Sequence, residues 1–395
     1  MSSDAPRSNN LDALRLLGAA AVILGHAYHL TGRPALIPVV FGYPVQTLGV
    51  VVFFSISGYL ITASWSRSPS VVTYGAARAL RIFPALVVVI VLSVFVLGPV
   101  VTTRSVGEYF DDPRTLHYLV NIVMQPQYDL PGVFAADVPY PNAVNGSLWT
   151  LPAELFCYLV VPLLCLVPRF ARPVTFGAAL VVSLVLAAIP AFDSPVIWGT
   201  RISDAALMWV FFAAGALLRL AHERWRGLFR TDVAVVLGLG YLMLVALYPA
   251  WTTKISWVAL PYIVLTIGLA STPYVRRAAR FGDLSYGMYL VGFPVQQLVV
   301  VYVGVVAMSL NLVLVVAISA LLALVSWHLV EAPSMRLKNR LVGRRPRRGE
   351  VEVPRSGDPS PSPVVPVAPA EAVQSTEPVE PVEPVATTGV TRDRA

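Results

Sequence analysis

Ten stretches of about twenty predominantly apolar residues recur along the chain, at roughly 11–31, 44–64, 80–101, 148–168, 174–192, 202–220, 232–249, 255–272, 284–307 and 311–330. At about 1.5 Å per residue, twenty helical residues cross the roughly 30 Å of a bilayer's hydrocarbon core. Lipid offers no partner for a bare backbone amide, so a segment of this kind must satisfy its own hydrogen bonds as a helix. The fold class expected is therefore an all-α, polytopic integral membrane protein of about ten transmembrane helices. Composition agrees, with only 13% charged residues and a mean hydropathy of +0.69. The first run holds Asp12 and Arg15 and lacks a small-residue cleavage site ahead of a soluble domain, so it reads as helix one rather than a removed signal.

The formal charge of +7 does not point to nucleic acid, because the basic residues fall in short clusters between apolar runs. With a cytoplasmic amino terminus, the inner connections hold Arg67, Arg78 and Arg81, then Arg169 and Arg172, Arg219 to Arg230, Arg276 to Arg280, and the run from Arg336 to Arg348. The outer connections hold only Arg33, Arg104, Arg114, Arg201 and Lys254. This bias assigns both termini to the cytoplasm and the protein to the cell inner (plasma) membrane as a multi-pass protein, with the bilayer as its first partner. Cys157 and Cys165 lie eight apart on one helix, too far along the axis for a bridge.

Two regions stand apart from the helices. The connection from about 101 to 147 is longer than a tight loop requires and rich in Tyr and Pro, in position to cover an outer pocket. Beyond Arg348 the sequence becomes Pro/Val/Glu/Ser-rich and has no means of building a core. The expected organisation is one transmembrane domain over 1–340 and a disordered, Pro-rich cytoplasmic tail over 341–395, without an internal repeat.

Ionisable side chains inside the apolar runs mark the chemistry. Arg15 and His26 share helix one, about 16 Å apart along its axis, and such residues usually face a protein interior and line a reaction or transport path. Helix four, running inward from about Ser147, places Glu154 about 10 Å below the outer boundary, near the depth of His26. Arg78 and Arg81 enter helix three near the depth of Arg15. A carboxylate-held imidazole suits proton abstraction from a hydroxyl, and arginines suit phosphates. An acyl-CoA entering from the cytoplasm fits that polarity, its phosphates on Arg15, Arg78 and Arg81 and its pantetheine arm directed at His26.

The surrounding motifs resemble a known family. Leu11-Asp12-Ala13-Leu14-Arg15 with His26 is similar to the Arg-x10-His signature of the membrane-bound acyltransferase-3 family. Phe53 to Ile61, Arg78 to Ala85, Asn145 to Leu151 with Glu154, Leu284 to Leu290, and Val330 to Pro333 resemble further family motifs in the same order. The resemblance covers about residues 9 to 340. It implies transfer of an acyl group, most often acetyl, from acyl-CoA to a hydroxyl of a carbohydrate, glycolipid or secondary-metabolite acceptor. His26 is then the catalytic general base, assisted by Glu154, while Arg15, Arg78 and Arg81 bind the donor or support the site. Gly292 stands where many members have a histidine two residues before the proline, here Pro294. The chain is expected to work in a stand-alone form without a fused esterase-like domain, passing the acyl group to its final acceptor or to a separate protein.

Each of these residues also has a purely structural reading. His26 would be a satisfied helix histidine, Arg15 a partner of Asp12 three residues earlier, Arg78 and Arg81 anchors at the inner boundary, and Glu154 a helix bridge. Ser57 and Gly58 suit close helix packing. No Gly-x-Ser-x-Gly elbow supports a covalent route, and no spacing implies a metal. A proton-coupled transporter or flippase of a glycan or lipid precursor, using Arg15, His26 and Glu154 as a relay, is the alternative to the enzyme.

Overall fold

The computed structural model describes residues 9–341 other than 68, 136 and 137, and the expected tail beyond 341 lies outside them. Each of the ten apolar runs contains a helix, in the expected order. We label them α1 (Leu11–Leu30), α2 (Val45–Arg67), α3 (Val71–Val101), α4 (Thr150–Leu164), α5 (Arg172–Ala188), α6 (Ile202–Arg224), α7 (Thr231–Leu247), α8 (Pro249–Leu269), α9 (Ser285–Val303) and α10 (Met308–Leu337). Among the described residues, seven are long and apolar enough to cross a membrane, while α4, α5 and α7 are shorter apolar helices. At 15 to 17 residues these three measure only about 22 to 26 Å. The protein is an all-α polytopic membrane protein whose strands, among the described residues, are two minimal antiparallel hairpins ahead of α2 and α6.

Helix three begins at Val71, nine residues before its apolar run. Ser70 caps it, its hydroxyl accepting from the Thr73 amide at 3.4 Å, so the chain is already helical while still polar enough to escape a hydropathy reading. Arg78 and Arg81 therefore sit in its second and third turns rather than at its mouth. Further along, the same helix passes through a π-turn at Ser93–Leu97. The start of α1 is tied down differently: Asn10 donates through Nδ2 to the Ile267 carbonyl at 3.1 Å and to the Thr272 hydroxyl at 2.9 Å, fastening α1 to the end of α8.

At the centre lies α2, packed against α1, α6, α8 and α4. Its crossing with α6 is glycine on both sides. A Cβ on Gly58 would lie 2.0 Å from the Phe212 carbonyl oxygen, and one on Gly215 would lie 2.2 Å from the Ser55 oxygen. Two backbones in direct contact leave dispersion between main chains to hold the helices, as small residues do where lipid provides no hydrophobic drive. The other main pairings are α5 with α6, α7 with α8, α9 with α10, and α1 with α9.

The connection between α3 and α4 is folded. Short helices at Val106–Asp111 and Pro113–His117 and a 3-10 segment at Tyr118–Val123 bury Tyr109, Tyr118 and Asn121 against the bundle. Outside the bundle, Asp112 accepts hydrogen bonds from Arg114 and an ion pair from Arg104, and these hold its carboxyl below the usual carboxylate range. The chain then re-enters. Asn145 donates to the Leu290 carbonyl at 2.8 Å, and Tyr289 donates to the Ser147 carbonyl at 2.7 Å. Those α9 residues are only about 6 to 8 Å from its amino-terminal end, so α4 starts inside the bundle rather than at its outer edge. This re-entry makes α4 short.

Candidate active site

Arg15 and His26 do lie on one helix, and they face different surroundings. His26 is half-buried against Phe293 of α9, the two rings meeting edge to face with centroids 5.2 Å apart. Phe293 in turn meets Tyr140 of the outer segment at 6.2 Å and packs with Leu30 and Ala143. Among the described residues the His26 imidazole has no hydrogen-bond partner. One turn further along, His29 Nε2 lies 3.4 Å from the side-chain nitrogen of Gln46. The Gln46 amide rests directly on Gly25, where a Cβ would come within 2.1 Å of Gln46 Oε1; the missing side chain lets α1 and α2 close beside His26.

Arg15 lines a second space near the amino-terminal end of α1. A cavity of about 50 Å³, room for a few water-sized groups, is bounded by Arg15, Arg81, Glu154, Tyr158, Tyr286 and Tyr289, with Phe53 and Thr150 beside them. Arg15 and Arg81 each place a guanidinium nitrogen 2.5 Å from the same oxygen, Oδ2 of Asp283. Arg81 also pairs with Glu331 at 3.0 Å, and Glu331 is buried. The guanidinium of Arg81 lies 5.7 Å from the ring centres of both Tyr286 and Trp327. Burial pushes the Asp283 carboxyl up, Arg15 and Arg81 pull it down more strongly, and the Ser285 hydroxyl and amide hydrogen bonds add to them, so it is held well below the usual range.

These contacts revise three expectations. Arg15 forms its ion pair with Asp283, 268 residues away, and the local Asp12 adds a charge attraction to it. Arg15 and Arg81 carry counterions, whereas among the described residues Arg78 has no carboxylate partner: it lies over the Tyr158 ring at 5.9 Å with a buried Nε unpartnered. Glu154 does not meet His26. Its carboxylate accepts from the Tyr158 hydroxyl, with which it makes a short hydrogen bond, and from Ser57 at 3.4 Å. The expected depth places the start of helix four at the outer boundary; because Asn145 and Ser147 descend to Tyr289 and Leu290, Glu154, one turn into α4, arrives beside the arginines.

Ser57 is thus a donor to a carboxylate that lines the cavity, not only a packing residue. Asp283, Tyr158 and the role of Glu331 escaped sequence reasoning. Glu331, an acid directly after the last apolar run, was the available signal; Asp283 lies just outside its helix and looks like any loop aspartate. His222 sits in the last turn of α6, and its Nδ1 lies 2.6 Å from the Tyr59 hydroxyl.

A bundle of apolar helices with a half-buried imidazole at one depth and a counterion-balanced arginine cavity at another is a membrane-embedded protein with polar groups held inside it. The acyltransferase-domain profile of the acyltransferase-3 family matches residues 8–331. The chain belongs to that family and is an O-acyltransferase. It is 32% identical over 338 residues to an O-acetyl transferase of Shigella phage Sf6, covering 82% of this chain and 95% of that protein. It is also 31% identical over 366 residues to Nodulation protein 10 of Rhizobium leguminosarum bv. viciae, covering 85% of this chain and 96% of the relative. No solved structure matches the chain.

Proposed function

We propose that the protein transfers an acyl group, acetyl in the first instance, from cytoplasmic acyl-CoA to a hydroxyl of a carbohydrate, glycolipid or related metabolite at the outer side of the membrane. The observation that carries this reading is the division of α1: Arg15 at the inner cavity and His26 about 16 Å further along, beside the outer segment's Tyr140 and the Phe293 it packs on. A family relative named as an O-acetyl transferase supports acetyl as the group moved.

In the reaction, His26 accepts the proton of the acceptor hydroxyl as its oxygen attacks the thioester carbonyl. The carbon–sulfur bond breaks, and the departing coenzyme thiolate takes the proton back. Positioned general bases of this kind contribute about 10² to 10⁴-fold in rate. Arg78, without a carboxylate partner, is the helix arginine left free to contact the donor's arm. Arg15 and Arg81, already paired, hold the cavity's shape, and Glu154 works with Tyr158 there rather than at the imidazole.

Purified protein supplied with labelled acetyl-CoA and candidate glycan acceptors tests the proposal. Wild type is expected to form acylated product, and His26→Ala to lower turnover by about 10² or more while acetyl-CoA binding stays within a factor of a few. Movement of acceptor across vesicles without covalent change establishes the transporter reading instead. Retained turnover in His26→Ala removes His26 as the base.

A further inference from the structure

The donor's nucleotide end is strongly anionic, its 3′-phosphomonoester alone carrying about −1.5 to −2 charge near pH 7. The arginines that line the cavity are poor seats for it. Arg15 and Arg81 share Asp283, and Arg81 has Glu331 as well, so their positive charge is already balanced.

Uncompensated positive charge lies on the segment that leads into Asp283. Residues Val275–Phe281 form a 3-10 turn packed against α1. Arg276, Arg277 and Arg280 are all exposed there, and among the described residues none has an ion-pair partner. Arg276 makes one hydrogen bond, to the Ser271 hydroxyl at 3.2 Å. Two aromatic side chains flank the three arginines and are open to solvent, Tyr274 at 83% and Phe281 at 57% exposure. The Arg280 guanidinium lies 4.5 Å from the centre of the Phe281 ring. Asp283 lies three positions after Arg280, a reach of at most about 11 Å, so this cationic and aromatic surface adjoins the inner end of the cavity. Guanidinium forks match phosphate oxygens, and open aromatic faces stack on planar bases.

We infer that Tyr274–Phe281 is the docking site for the nucleotide end of the acyl-CoA donor, with Arg276, Arg277 and Arg280 receiving its phosphates and Phe281 or Tyr274 stacking on its adenine. The inference rests on the acyl-CoA reading above. The pantetheine arm then passes inward beside Asp283, and the paired arginines keep the cavity open without trapping the phosphates there. An anionic lipid headgroup presents the same phosphate chemistry, and the test separates the two sources.

Full-length protein in neutral detergent is titrated with acetyl-CoA, 3′-dephospho-acetyl-CoA and S-acetylpantetheine, and the same titrations are made with the Arg276→Gln/Arg277→Gln/Arg280→Gln variant. Wild type should bind acetyl-CoA about tenfold or more tightly than S-acetylpantetheine, as expected for charge-assisted contacts. The variant should lose that advantage while binding S-acetylpantetheine unchanged. A lysine triple variant should keep most of the advantage, because point charge survives without the fork.

Equal affinities of wild type and the glutamine variant for acetyl-CoA overturn the inference and leave acyl transfer standing. Loss of all three donors alike also overturns it, showing the segment to be structural. So does a variant that binds every donor normally yet no longer responds to phosphatidylglycerol in otherwise zwitterionic vesicles, which makes the segment a lipid contact. Failure of wild type to bind any donor defeats the acyl-CoA reading itself.

Discussion

Asp283 is the residue on which the inner site turns, since one of its oxygens is shared by Arg15 and Arg81. Removing one member of such a buried arrangement strands the other charges. Asp283→Asn is expected to lower stability by about 3 to 5 kcal/mol, read as a fall in thermal midpoint in detergent. The acid dependence follows from the same contacts. The folded carboxyl titrates below its unfolded value of about 3.9, so its stabilisation is complete above that value and is lost as pH falls toward the folded one. Wild type should lose this contribution progressively below about pH 4, and the asparagine variant should lack that part of the slope; equal slopes between pH 6 and 2.5 would count against the pairing. His26 and Arg15 were legible in the sequence because an ionisable group inside an apolar run is conspicuous. Asp283 was not, because its partners are 268 and 202 residues away and its neighbours look like an ordinary loop.

At the scale of elements, the re-entrant start of α4 fixes the depth of Glu154. Asn145 holds it, donating to Leu290 and accepting from both the amide and hydroxyl of Ser147. Asn145→Ala is expected to cost about 1 to 3 kcal/mol through the buried groups left unpaired, and to reduce turnover with it, because Thr150 and Glu154 are positioned through that turn; turnover unchanged at full folded fraction would break the link. The α2–α6 crossing makes a separate prediction. Gly215→Val drives a side chain into the Ser55 carbonyl, and overpacking of this kind costs about 1 to 3 kcal/mol or more. Thermal unfolding should show the loss, whereas Gly240→Ala, where a Cβ meets nothing within 4 Å, should leave the midpoint within about one degree. Apolar periodicity located all ten helices but not their ends: α3 begins in polar sequence, and α4 begins where a loop has dived into the bundle.

For the molecule as a whole, the charge asymmetry is expected to place Arg277 on the cytoplasmic face and Arg114 on the opposite one. In sealed cells, with Cys157 and Cys165, both buried, replaced by serine, Arg114→Cys should react with an impermeant maleimide and Arg277→Cys only after permeabilisation. The reverse pattern would invert the proposed direction of acyl transfer. That direction is the assumption shared by the acyl-CoA path, the outer acceptor and the nucleotide dock.

By itself, the sequence determined the class: an all-α bundle in lipid, because segments twenty apolar residues long have no other way to satisfy their backbones, and a member of the acyltransferase-3 family through motifs kept in order. Tertiary structure alone decided which charges face each other. Ion pairs in a membrane protein join helices far apart in sequence, and depth along one helix does not reveal where its neighbour enters; that is why Glu154, expected beside His26, lies with Tyr158 and the arginines, and why their counterion proved to be Asp283.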